Sequence, residues 1–135
     1  MLSVKLEYCI NGYDTKEVEI NCFGMLKSKL IEIKNEATGI IKSIFTVDVV
    51  VDGKGRMSIG LDEDSILAYT SFDFEDNMTS LGNESSQGTT LYYFGDYSIM
   101  SNKYIIPYNT ALDVLKTWIE FGEISDIIQW TDEIY

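Results

Sequence analysis

Histidine is absent from the 135-residue chain, proline and arginine each occur once, and the cysteines are Cys9 and Cys22 alone. Without histidine, the commonest general base is missing. Two cysteines separated by twelve residues build neither a CxxC redox motif nor a Cys/His zinc site, so no metal or cofactor is expected. They are read as free thiols, because a chain with a normal apolar core does not need a disulfide. The longest apolar stretches, such as Ile44 to Val51, are broken by Asp48 and fall far short of the roughly 20 residues of a membrane span. Lys5 and Glu7 interrupt the opening residues in a way no signal-peptide core tolerates. A cytoplasmic protein that does not bind membrane is the expectation.

What is present is an ordinary globular composition, 45% hydrophobic and 24% charged, sized for one domain over residues 1–135. Its charge is not ordinary. Ten bases face 22 acids, a net of −12, and the imbalance is local. Residues 1–56 contain eight of each sign. Residues 57–102 contain Asp62, Glu63, Asp64, Asp73, Glu75, Asp76, Glu84 and Asp96 with no lysine or arginine. A field of this sign repels nucleic acid and anionic membrane and speeds association with cationic proteins.

Alternation from Leu2 to Ile10 predicts an opening strand, with Asn11-Gly12 as its turn and a short second strand over Glu17 to Ile20. Phe23, Leu26, Leu30, Ile33 and Ala37 recur at helical spacing, and Gly39 stops that helix. Strands are predicted at Ile44 to Val51, Met57 to Leu61, Ile66 to Phe74, Thr89 to Phe94 and Tyr97 to Ile106, joined by Asp52-Gly53-Lys54-Gly55, by Gly95-Asp96 and by a polar loop over Asn77 to Gly88. A second amphipathic helix runs from about Asn109 to Phe121, after Pro107, capped by Asn109 or Thr110 and ended by Gly122. A last strand spans Asp126 to Trp130. The fold class is α+β, an antiparallel sheet of about six or seven strands with two helices packed on it. Trp118 and Trp130 are read as core.

The consecutive Asp62-Glu63-Asp64 reads as a solvated turn rather than a catalytic carboxylate pair. Neither it nor Asp73 to Asp76 has the ligand spacing of a calcium loop. Gly53-Lys54-Gly55 lacks the spacing of a phosphate-binding loop. Tyr69, Phe72, Phe74, Tyr92, Tyr93, Phe94 and Tyr97 crowd the acidic half, and period two directs only about half of them inward. They are either cross-strand packing or contact surface for a basic partner. Glu120 and Glu123 stand at the end of the second helix, where the helix dipole disfavours anions.

The segment Ile105-Ile106-Pro107, Ala111-Leu112, Trp118-Ile119-Glu120-Phe121-Gly122-Glu123 and Ile127-Ile128-Gln129-Trp130 resembles the closing signature of a family of bacterial polymorphic-toxin immunity proteins, Imm family one. Gly55-Arg56-Met57 to Ser71 and Tyr92-Tyr93-Phe94-Gly95 are similar to that family's middle strands. Glu123-Ile124-Ser125 stands where the family has a proline soon after the helix-ending glycine. The resemblance implies an α+β immunity protein encoded beside a toxin, commonly a deaminase acting on nucleic acid. Such a toxin must hold phosphates and is therefore basic, which suits the acidic half. The expected function is toxin neutralisation without catalysis, by a monomer or weak homodimer. Its contact residues are Asp62, Glu63, Asp64, Tyr69, Asp73, Glu75, Asp76, Glu84, Tyr92, Asp96 and Tyr97. The alternatives are an acidic mimic of nucleic acid and a small carboxylate-dependent enzyme.

Overall fold

Alternating apolar residues build the sheet that organises this protein, and the computed structural model describes residues 2–133 of it. The strands are β1 (Val4–Tyr8), β2 (Lys16–Ile20), β3 (Ile44–Val51), β4 (Gly55–Gly60), β5 (Asp64–Ser65), β6 (Leu67–Ser71), β7 (Asn77–Leu81), β8 (Thr89–Tyr93), β9 (Tyr97–Ser101), β10 (Ile106–Pro107) and β11 (Gln129–Thr131). Helix α1 spans Phe23–Ala37 and α2 spans Tyr108–Phe121. Seven strands lie in the order β11-β7-β6-β4-β3-β1-β2, every neighbour antiparallel. β8 joins β3 in parallel through Ile44↔Tyr92 and Phe45↔Tyr93 and carries β9 beside it, making nine strands, while β5 and β10 pair separately. The α+β class and the mostly antiparallel sheet agree with the sequence reading; the strand count is higher.

One face of the sheet is apolar because β1, β3 and β4 turn Val4, Leu6, Phe45, Val47, Val49, Val51, Met57 and Ile59 the same way. Both helices cover it. Leu26, Leu30 and Ile33 of α1 and Val114, Leu115, Trp118 and Ile119 of α2 join these residues in one buried cluster, each side chain contributing about 1.5–3 kcal/mol by leaving water. The Trp118 indole N–H donates to the Val49 carbonyl at 3.0 Å, so its single polar atom is satisfied. Trp130 is only half-buried against this core.

The helix ends follow local chemistry. The Cys22 Sγ accepts from the Met25 amide at 3.4 Å at the start of α1, and Gly39, at φ +89°, follows its end. Both cysteines are free thiols. α2 starts one residue before the predicted caps, so Asn109 and Thr110 sit inside it and cap nothing. The Tyr108 amide instead donates to the Glu63 carbonyl at 3.1 Å, which supplies by tertiary contact the acceptor a cap would have given. Gly122, at φ +65°, ends the helix in the left-handed conformation that favours glycine.

A second, smaller cluster lies on the opposite face, where Ile66, Tyr92 and Tyr104 are buried among Ile44, Leu81, Phe94 and Met100. Gly60 permits it. A Cβ at Gly60 would stand 3.0 Å from the Tyr92 ring, closer than ordinary contact, so the ring rests on bare backbone. Tyr92 is 0% exposed and its hydroxyl donates to the Asp64 carbonyl at 3.1 Å.

Burial, and then the nearby charges of Asp64 and Asp62, push the Tyr92 hydroxyl above the usual tyrosine value. A raised folded-state value means its contribution is fully present below the unfolded value of about 10 and is lost as pH rises beyond it. Alkaline unfolding is therefore expected to steepen above about pH 10. In Tyr92→Phe that slope should flatten, at a cost near 1 kcal/mol at neutral pH from the lost hydrogen bond. Urea titrations from pH 8 to 11 measure both; an unchanged alkaline slope would assign it to other tyrosines.

Four predicted elements differ. The polar loop over Asn77 to Gly88 begins instead with strand β7, in which Thr79 and Ser80 are both 0% exposed. The Ser80 hydroxyl can be buried because its Oγ accepts from the Leu67 amide at 3.0 Å and donates to the Tyr104 carbonyl at 2.8 Å. The strand predicted to reach Phe74 stops at Ser71, and the one predicted to reach Ile106 gives way to a 3₁₀ turn at Asn102–Tyr104. The closing strand is Gln129–Thr131 rather than Asp126 to Trp130.

Candidate protein-binding surface

Unpaired charge and exposed aromatic rings coincide at one turn of the sheet. Among the described residues seven of the 22 acids form an ion pair, at Glu7, Glu17, Glu32, Glu36, Asp48, Asp62 and Glu133. Within 57–102 only Asp62 does, reaching Lys34 at 3.6 Å. The others there have no cationic partner among the described residues.

The turn between β6 and β7 carries Phe72, Asp73, Phe74, Glu75 and Asp76, all exposed. Its shape is set by hydrogen bonds. Asp73 Oδ1 accepts from Ser71 Oγ at 2.6 Å and from the Glu75 amide at 3.2 Å, and the Ser71 amide donates to the Asp76 carbonyl at 2.9 Å. The Ser71 hydroxyl, then the Glu75 amide, hold the Asp73 carboxyl below its ordinary value. Phe74 adopts φ +62°, the one left-handed non-glycine among the described residues, a conformation costing about 1–2 kcal/mol. It leaves Phe72 68% and Phe74 73% exposed. The Phe74 amide donates to the Ser71 carbonyl at 3.0 Å, so the left-handed residue is the one that closes the turn.

The two phenylalanines border a groove of about 600 Å³ on the sheet face away from the helices. Its cations are already held: Arg56 pairs with Asp48 at 2.8 Å and Glu7 at 3.7 Å, and Lys5 with Glu17 at 3.1 Å. Ser58 makes a short hydrogen bond to the same Asp48. With these cations compensated, the groove offers an incoming anion no free charge.

The other residues expected at a contact surface do not gather here. Asp62, Glu63 and Asp64 form the turn and strand leading into β6, at its far end from Asp73, about 15 Å away at a strand's usual rise. That trio is committed to the fold: Asp62 Oδ1 accepts from the Glu63 amide at 2.9 Å, and the Glu63 and Asp64 carbonyls take Tyr108 and Tyr92. Glu84 is exposed in the loop after β7, and Asp96 in the β8–β9 turn. Tyr97 is 51% exposed, its ring 5.1 Å from that of Tyr93 and its hydroxyl accepting from the Lys42 amide at 3.4 Å. Tyr92 must be struck from the surface set, because Gly60 lets it sink into the second cluster. Tyr69 is half-buried on β6, edge-on to Trp118 with ring centroids 5.5 Å apart. Burial, then Asp76 and Asp73, hold its hydroxyl above the ordinary value.

Phe72, Phe74, Trp130 and Asp132 belong to the same end of the molecule and were absent from the expected set. The alternation of phenylalanine with acid across Phe72 to Asp76 was the available signal. A strand reading through Phe74 hid it.

Among the described residues no group of histidine, cysteine or carboxylate side chains is placed to hold a metal ion. No described helix is long and apolar enough to cross a membrane. Known protein families supply no model that matches the chain, and no curated protein sequence matches it.

Proposed function

We propose that this protein binds and neutralises a positively charged partner, a bacterial toxin domain acting on nucleic acid, in the cytoplasm and without catalysis of its own. The observation that carries the reading is the β6–β7 turn. It presents two exposed phenylalanines, one on left-handed backbone, beside three carboxylates with no ion pair among the described residues. Rigid apolar side chains supply contact energy, and uncompensated acids supply steering and selection for a basic surface. The resemblance to Imm family one points the same way and adds the deaminase class of toxin.

A mimic of nucleic acid needs carboxylates at regular, phosphate-like spacing. Here they are gathered in turns at separate ends of the sheet, which suits a protein partner better. The test is co-expression with the toxin domain encoded in the neighbouring reading frame. Growth should be restored, and the two chains should co-purify in a complex that weakens with added salt. Toxicity undiminished by the protein would overturn the reading.

A further inference from the structure

The helix-covered face of the sheet is left open at its β11 edge. There β6, β7 and β11 pair through Tyr69↔Met78 and Ser80↔Trp130. Strand alternation then turns Asp76, Met78, Tyr69, Trp130 and Asp132 to one side. Together with Glu75 they line a groove of about 750 Å³.

The charge and the rings that line the groove point to one kind of ligand. Among the described residues Glu75, Asp76 and Asp132 make no ion pair, and no lysine or arginine lines the groove. The Tyr69 ring is fixed edge-on by Trp118. The Trp130 indole N–H is already spent on the Ser125 carbonyl at 2.9 Å, so what Trp130 has to offer is its π face. No three carboxylates among the described residues converge closely enough for a metal ion. The negative charge is spread along an aromatic-sided trough, which suits a wide planar cation better than a point charge. A second copy of this chain, itself at −12, brings charge of the wrong sign.

We infer that this groove receives an arginine side chain of the cationic partner, its guanidinium against the Trp130 ring and hydrogen-bonded to the carboxylates of Asp76 and Asp132. Guanidinium stacks on aromatic faces, forms paired hydrogen bonds with carboxylates and is less strongly hydrated than the lysine ammonium. The inference rests on the neutralisation reading for its partner and gives that partner a specific feature.

The probe is a peptide, acetyl-Gly-Gly-Arg-Gly-Gly-amide, titrated into isotope-labelled protein and followed by NMR. The lysine and citrulline analogues serve as comparisons. The Trp130 indole N–H and the Asn77, Met78 and Thr131 amides should shift saturably with the arginine peptide. Affinity for the lysine peptide should be about fivefold or more weaker, and the citrulline peptide should give no response. The double variant Asp76→Asn with Asp132→Asn should lose the response while the buried Trp118 indole signal stays in place, which separates lost binding from lost structure. Equal shifts with arginine and lysine peptides, or an undiminished response in the double variant, would overturn the groove. Toxin protection by a protein that ignores the arginine peptide would also overturn it, leaving the neutralisation reading intact. A selective response in a protein that fails to protect would uphold the groove and remove the toxin.

Discussion

Replacing Trp118 with alanine is expected to lower stability by about 3–5 kcal/mol, a large part of the 5–15 kcal/mol that typically holds a domain of this kind together. The side chain is 1% exposed and joins α2 to the centre of the sheet. Its removal opens a cavity between two rigid elements that cannot close over it. It also removes the donor that reaches the Val49 carbonyl and the ring against which Tyr69 rests. A melting temperature lower by roughly 10–20 °C should follow. Phe121→Ala supplies the comparison, because Phe121 stands on the same helix but is 62% exposed and should cost no more than about 0.5 kcal/mol. Similar losses in the two variants, read from urea midpoints, would contradict the packing described for α2.

Reversing Glu75 and Asp76 to lysine should slow association with the toxin about tenfold or more at low ionic strength, with the difference shrinking as salt is raised. Both side chains are exposed and neither makes an ion pair among the described residues, so the substitution changes the field without dismantling an ion pair described there. Asp73 is left alone. Its carboxylate organises the turn through Ser71 and the Glu75 amide, and Asp73→Lys would mix lost shape with lost charge. The matched control reverses Glu32 and Glu36 on α1, the same change in net charge at acids already paired with Lys29 and Lys16. Exposed pairs of this kind contribute little, about 0–1 kcal/mol each. Stopped-flow association at several salt concentrations discriminates the two. A larger effect from the α1 reversal would move the docking surface to the helical side.

Much of the fold was legible because periodicity reports burial wherever the buried residues are apolar. α1, α2 and β3 have bounds close to those read from spacing alone, since Leu26, Leu30, Ile33, Val114, Trp118, Val47 and Val49 sit in runs whose period matches their element. β7 was not legible. Its interior positions are Thr79 and Ser80, which resemble loop residues; partners from β6 and the 3₁₀ turn satisfy the Ser80 hydroxyl only in the folded chain.

The candidate surface divides in the same way. Its acidity and aromatic content belong to the sequence, which determined by itself that residues 57–102 carry eight acids and no base. Which rings face out was decided by tertiary structure. Tyr92 went inward because Gly60, remote in the chain, has no side chain to hold it off. Phe72 and Phe74 went outward because Asp73 closes β6 early and turns Phe74 into the left-handed region. The groove beside Trp130 exists only because β11, from the end of the chain, pairs with β7. Charge and period are properties of neighbouring residues and can be read along a chain. Exposure depends on what arrives from elsewhere, and only the folded chain supplies that.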